Sequence, residues 1–351
     1  MKNHYLPALD NIYVNPSQGA WHAPLQVGSV GDNGQTPIRA GWVTNKILHT
    51  GWLAILILLL TILPACQAAP VTGGNGKKTI VVTYSVLGAL VTDLAGSQVN
   101  VVVPMPNGQD PHEWEPSARD IETMTRADLI VQNGLGLEGG MEKALAQAKA
   151  AGVPFFTASD HITIRYVGAG EGVPSGDPDQ SLGAADPHLW MDPVTMKAVV
   201  DALAVQIKSA LGIDLSAQAK DLDARLDSLT AEVTASVAAL PQAERKLVTG
   251  HESMGYFAQR FGFTLIGAVI PSITTQAESS ASDLAALKKL IEDNHVKAIF
   301  TELGASQSVT DAIGSETGAK VISLSTHSLP PDGSYFTFMR NLTQTIIGAL
   351  K

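Results

Sequence analysis

The sequence predicts an α/β chain of two lobes with mainly parallel sheets, joined by one long helix. Two observations lead there. Strand and helix patterns alternate through residues 78–214 and again through 241–351, which is the order of βαβ units. Between them, Leu215 to Leu240 carries a single apolar stripe at helical spacing: Leu215, Leu222, Leu226, Leu229, Val233, Val237 and Leu240. Lys220, Asp223, Asp227 and Glu232 fall off the stripe, and neither Pro nor Gly interrupts it before Pro241. At 1.5 Å per residue such a helix reaches about 39 Å, enough to span two lobes. Fewer than four clean heptads are present, which argues against a coiled-coil dimer.

In the first half, Ile80–Tyr84 reads as a strand, followed by a helix through Leu87, Leu90, Val91 and Leu94. Val99–Val103 is a second strand, closed by prolines and an Asn107-Gly108 turn. Ser117-Ala118-Arg119-Asp120 has the capping-box pattern and opens a helix with Ile121 and Met124. Asp128–Val131 is a strand, Met141–Ala151 a helix and Val153–Thr157 a fourth strand. Tyr166–Ala185, rich in Gly, Pro, Asp and Ser, is a loop, and a helix follows over Val194–Leu211.

After Pro241 the alternation resumes. Strands are expected at Lys246–Val248, Thr264–Ile270, Ala298–Thr301 and Val321–Leu324. Helices are expected at Met254–Phe261, from the capping box Ser280–Asp283 to Glu292, at Ser308–Thr317 and at Tyr335–Leu350.

Composition narrows the function. The 351 residues carry a formal net charge of -10 and no Lys/Arg-rich run, which speaks against nucleic acid. The one cysteine, Cys66, can form no internal disulfide and excludes a multi-cysteine zinc site. It ends an apolar run from Trp52 to Leu63, preceded by Lys46 and His49, in the sequence Leu63-Pro64-Ala65-Cys66. The run is shorter than the roughly 20 apolar residues of a membrane span. It reads as a lipoprotein signal peptide over residues 46–66, its end resembling a lipobox, with Cys66 lipidated and anchored to the membrane. Residues 1–45 are polar and without periodicity, and read as an unstructured or mis-assigned extension. A start at Val43 would leave an ordinary signal-peptide beginning with Lys46. Residues 67–77, with Gly73, Gly74 and Gly76, read as a flexible tether.

The chemistry concentrates in two related stretches. Asp110-Pro111-His112-Glu113-Trp114-Glu115-Pro116 is partly repeated in Asp186-Pro187-His188-Leu189-Trp190. The prolines fix φ and discourage helix, so each histidine sits on a constrained loop. A third candidate, His251, lies in Thr249-Gly250-His251-Glu252-Ser253. In open α/β sheets ligands bind beyond the carboxyl ends of strands, where His112, His251 and Glu302 are expected. Three imidazoles and a carboxylate would close a tetrahedral shell for Zn²⁺. Asp332 is the candidate for the carboxylate and Glu302 the alternative. His4, His22, His49, His161, His295 and His327 read as surface or hydrogen-bonded residues, and Trp114 and Trp190 as packing that stiffens the two loops.

Together with Asn133-Gly134-Leu135-Gly136-Leu137-Glu138 and His251-Glu252-Ser253-Met254-Gly255-Tyr256-Phe257, these stretches resemble the zinc/manganese solute-binding lipoproteins of bacterial ABC importers. The resemblance runs in order from about Lys78 to the C-terminus. It implies two α/β lobes held by a rigid helix, with the metal in the cleft between them. It implies His112, His188 and His251 as ligands, and an aspartate just before a Tyr-containing helix, a position at which Gly333 stands here with Asp332 one step earlier. It also implies an extracytoplasmic, membrane-anchored, monomeric protein, without enzymatic activity, that delivers Zn²⁺ (or, with less preference, Mn²⁺) to an ABC permease and its ATPase. The His-rich loop that zinc members often carry before the second histidine is missing from Tyr166–Ala185. A zinc hydrolase or a surface adhesin with a structural metal are the alternatives. No His-Glu-x-x-His stretch and no adhesive module support either.

Overall fold

The computed structural model describes residues 76–168, 171 and 183–351. The signal peptide, Cys66, the extension over 1–45 and nearly all of the tether lie outside the described residues.

Two four-stranded sheets, each entirely parallel, form the two lobes. The first contains β1 (Thr79–Val82), β2 (Asn100–Val102), β3 (Leu129–Gln132) and β4 (Phe155–Thr157), in the order β2-β1-β3-β4. The helices α1 (Ser85–Ala95), α2 (Ala118–Thr125) and α3 (Glu142–Ala150) alternate with them. The second contains β5 (Lys246–Thr249), β6 (Thr264–Ala268), β7 (Ala298–Thr301) and β8 (Lys320–Ser323), in the order β6-β5-β7-β8. Its helices are α6 (Gly255–Phe261), α7 (Ala281–Asp293), α8 (Gln307–Thr317) and α9 (Tyr335–Leu350). Between the two sets run α4 (Pro193–Leu211) and α5 (Ser216–Ala238).

The predicted starts of α2 and α7 have the expected chemistry. Ser117 accepts from the Asp120 amide while Asp120 accepts from the Ser117 amide, and Ser280 and Asp283 do the same. Each box satisfies two amide donors that the first helical turn leaves unpaired.

Every residue of the predicted Leu215–Leu240 stripe is buried. The 23-residue α5 lays this face on α4, α9 and α1. Burying one such Leu or Val side chain is worth about 1.5–3 kcal/mol, so the stripe decides where the helix lies. The ion pairs on its outer side, Arg225–Asp93, Asp227–Lys197 and Glu232–Arg340, are solvent-exposed and add little. A continuous apolar core joins β1 and α1 of the first lobe, through α4 and α5, to α6 and α9 of the second. The connection between lobes is therefore a packed core rather than a bare hinge.

Both sheets reverse their strand order between the two central strands, β1 and β3 in one lobe, β5 and β7 in the other. The carboxyl ends of these pairs form the crevices where α/β sheets take ligands.

Candidate metal centre

Four imidazoles meet at these strand ends. His112, His188, His251 and His327 each offer one nitrogen, and these atoms lie within 4.8 Å of one another. His188 Nε2 stands 3.3 Å from His112 Nε2 and 3.1 Å from His251 Nε2. All four side chains are buried, with 2% or less of their surface exposed. Crowded imidazole nitrogens gain nothing from each other unless a cation or proton lies between them, so this arrangement is suited to a metal ion.

Each histidine is aimed by a different device. In the first Asp-Pro-His stretch, Asp110 Oδ1 accepts the backbone N–H of His112 at 2.9 Å. In the second, Asp186 Oδ1 accepts the backbone N–H of His188 and also faces its Nδ1, both at 2.9 Å. The Asn133–Glu138 stretch braces this second loop. Asn133 donates to the Pro187 carbonyl at 2.8 Å, and the buried Glu138 carboxylate accepts from Thr83, Asn133 and Gly134. Trp190 donates its indole N–H to the Thr326 carbonyl at 2.9 Å. The tryptophan of one histidine loop thus holds the residue before His327.

His251 follows β5 after Gly250. A Cβ on Gly250 would lie 2.6 Å from Glu302 Cγ, so glycine there lets Glu302, at the end of β7, pack against the His251 backbone. Glu302 accepts from the His251 backbone N–H at 2.9 Å, from Ser253 Oγ and from Thr326 Oγ1. Its Oε1 also lies 3.1 Å from His251 Nδ1, an electrostatic contact without hydrogen-bond alignment. His327 places Nδ1 2.9 Å from Thr326 Oγ1 and leaves its buried Nε2 without a hydrogen-bond partner.

The electrostatics separate the four. Burial holds His112 well below the ordinary imidazole value, and the other three rings add to this. Burial also lowers His327, helped by His251. It lowers His188 although Asp186 opposes it. For His251 burial acts downward but is outweighed by the Glu302 carboxylate, with Asp110 and Asp186 adding, and the net shift is upward. Burial would raise Glu302, yet the His251 and His327 rings and the bonds it accepts bring it to about 2. At neutral pH burial thus keeps His112, His188 and His327 neutral and ready to donate lone pairs, while the Glu302 carboxylate favours a proton on His251 that an incoming cation would displace.

The structure brings His112, His188 and His251 together and adds His327, which the sequence reading set aside. It does not bring Asp332 to the cluster. That residue is exposed at the start of α9, where Oδ1 accepts the Ser334 N–H at 3.0 Å and Oδ2 accepts from Thr337 Oγ1 at 2.7 Å. Asp332 is a helix-start residue, held by the turn it closes. Glu302, the alternative, is buried behind His251, on the side of Nδ1 rather than Nε2. His327 lies four residues beyond β8, an edge strand that runs parallel to β7 and so ends on the same side of the second sheet as β5 and β7. That placement was the available signal, since the same strand-end rule selects His251 and Glu302.

The sequence pattern of the ZnuA family, described as zinc-uptake complex component A, periplasmic, matches residues 80–349. The chain belongs to this family. Among its relatives, the metal ABC transporter substrate-binding lipoprotein FimA of Streptococcus parasanguinis is 26% identical over 301 residues, covering 82% of this chain and 94% of FimA. The manganese ABC transporter substrate-binding lipoprotein PsaA of Streptococcus pneumoniae is 26% identical over 316 residues, covering 86% of this chain and 99% of PsaA. The solved structure of the periplasmic zinc binding protein TroA from Treponema pallidum superposes with a TM-score of 0.67 at 25% identity, covering 78% of this chain and 99% of TroA. Family membership and the two parallel lobes agree with the resemblance drawn from the motifs. The relatives are named for both zinc and manganese. Among the described residues no helix is long and apolar enough to cross a membrane.

Proposed function

We propose that this chain is the extracytoplasmic substrate-binding component of a metal ABC importer, that its cargo is Zn²⁺, and that His112, His188, His251 and His327 are the ligands. The observation that carries the proposal is the convergence of four buried imidazole nitrogens within 4.8 Å. Imidazole is a borderline donor that suits Zn²⁺, whereas Mn²⁺ favours oxygen-rich octahedral surroundings. Four nitrogens fill a tetrahedral shell and leave no position for an attacking water, which favours a carrier over a zinc hydrolase.

In this reading the lobes over 78–214 and 241–351 hold the ion, and the helix over 215–240 keeps them in register. The signal peptide over 46–66 leaves the mature chain anchored by lipid on Cys66, and the tether over 67–77 lets a monomer reach the permease and its ATPase. Because nitrogen sites prefer Zn²⁺ to Mn²⁺ almost whatever their shape, tight zinc binding alone decides little. The test is competition between the two metals on the wild type and on His251→Glu. The wild type is expected to hold Zn²⁺ against a large Mn²⁺ excess, and the variant to narrow the gap. Equal discrimination by both would remove His251 from the ligand set.

A further inference from the structure

The two Asp-Pro-His stretches differ in how their aspartates are held. Asp186 has both carboxylate oxygens engaged. Oδ1 faces His188, and Oδ2 accepts from Arg165 Nη1 at 3.0 Å. In the first stretch Asp110 Oδ1 holds only the His112 backbone, and Oδ2 is buried without a hydrogen-bond partner. We infer that Arg165 is a positioning residue for metal capture: through Asp186 it fixes His188 as the rigid ligand of the cluster. The inference rests on the zinc-binding reading above.

Arg165 suits this role. It is 9% exposed and Asp186 is fully buried, so the pair sits where a charge left alone is costly. The guanidinium is planar and permanently charged, and it grips two carboxylates at once. One nitrogen bonds Asp186, the other Glu171. The Arg165 backbone is itself held, its N–H donating to Tyr256 Oη at 3.0 Å. With Oδ2 taken, the Asp186 carboxylate cannot rotate away from Nδ1. An Nδ1–H donating to Oδ1 leaves the Nε2 lone pair of His188 for the ion. Carboxylates behind metal-bound histidines fix the tautomer in this way, and their loss typically weakens metal binding 10–100-fold. Here the arginine fixes the carboxylate.

The second lobe closes the arrangement. Gly255, the first residue of α6, lies so near that a Cβ on it would come within 2.2 Å of Asp186 Oδ2 and 2.3 Å of Arg165 Nη1. The Arg165–Asp186 pair is therefore pressed between a loop of one lobe and a helix of the other.

The test is Arg165→Gln, with two readouts. One is Zn²⁺ affinity by chelator competition. The other is the tautomer of His188 in the metal-free protein, read from long-range ¹H–¹⁵N NMR, which does not depend on zinc. Wild type is expected to show His188 as the Nδ1–H form. The variant is expected to show a mixture and to bind Zn²⁺ at least tenfold more weakly, with Arg165→Lys between the two because it keeps the charge and loses the fork. Gly255→Ala, which crowds the pair from the other lobe, should weaken Zn²⁺ in the same direction. Loss of melting temperature without a change in tautomer, or a changed tautomer with affinity within twofold of wild type, overturns the inference. If Arg165→Gln does not fold, Arg165→Lys decides by the same readouts. A wild type that holds no zinc defeats the cargo reading, and the tautomer measurement still judges Arg165.

Discussion

Glu302 accepts the backbone N–H of His251 at 2.9 Å and sets the same oxygen 3.1 Å from that residue's Nδ1. One carboxylate thus steadies both the main chain and the ring of a metal-site histidine. It is buried, held ionised with a pKa brought to about 2, and takes further bonds from Ser253 and Thr326. Since Thr326 precedes His327, Glu302 also ties two of the four imidazole loops together.

Glu302→Gln should damage the site without touching a ligand. The amide puts an N–H₂ group where donors already converge, leaving buried groups unpaired at about 1–3 kcal/mol. The expected result is a lower melting temperature of the metal-free protein and Zn²⁺ binding weakened 10–100-fold, as for other residues behind metal ligands. Calorimetric melting and chelator competition measure the two effects. Unchanged affinity would mean that Glu302 serves only the fold.

His327 and Asp332 are separable by the same assay. His327→Ala should weaken Zn²⁺ by at least tenfold, because it removes a donor from the shell. Asp332→Ala should leave Zn²⁺ affinity within twofold of wild type and lower the melting temperature only slightly, as expected for an exposed helix-start bond. The reverse pattern would return the fourth position to Asp332.

Acid should destabilise the metal-free protein. His112, His188 and His327 lie below the ordinary imidazole value of 6.5, so between about pH 7 and 5.5 the unfolded chain binds protons that the native one refuses. Their contribution is present above about 6.5 and is lost as pH falls toward the folded-state values. His251, raised, has the opposite sign: its contribution is full below 6.5 and is lost as pH rises through its folded value. Three groups oppose one. Asp223, raised to about 6 by burial and by Asp201, also acts against the trend, and Asp223→Asn removes it from the comparison. The metal-free melting temperature should fall from pH 7 to 5.5, and more steeply with bound Zn²⁺, whose ligands must be neutral. A melting temperature that stays level or rises on acidification contradicts this balance.

Cys66→Ser should leave the precursor unprocessed or release the protein from membranes, since the lipid anchor is proposed to form on that thiol. Membrane fractionation and mass spectrometry of the N-terminus read both outcomes. Normal processing with full membrane retention would favour an uncleaved anchor helix.

Much of the fold was legible because its determinants are local. The α5 stripe, the two capping boxes and the strand-helix alternation each follow from periodicity or from a side chain bonding within its own turn. The paired Asp-Pro-His loops were legible for the same reason, since aspartate and proline shape the backbone beside them. His327 was less so: only its place just beyond β8 marks it, with no residue pattern around it. It stands among Ser325, Thr326 and Ser328, and what makes it part of the cluster is contact with residues far away in sequence, among them Trp190 on Thr326 and the His251 ring stacked 5.4 Å from its own. Asp332 attracted attention as a carboxylate near the Tyr335 helix, and its side chain turned out to serve that helix. Arg165 was equally silent: its meaning lies in Asp186, 21 residues on.

The central claim is a four-imidazole zinc shell, and X-ray absorption at the zinc edge of the loaded wild-type protein tests it most directly. The account predicts one zinc per chain with four nitrogen neighbours at about 2.0–2.1 Å, the outer-shell scattering of four imidazole rings, and three such rings in His327→Ala. A spectrum with three or fewer imidazoles and a carboxylate oxygen in the wild type, unchanged by His327→Ala, would contradict it.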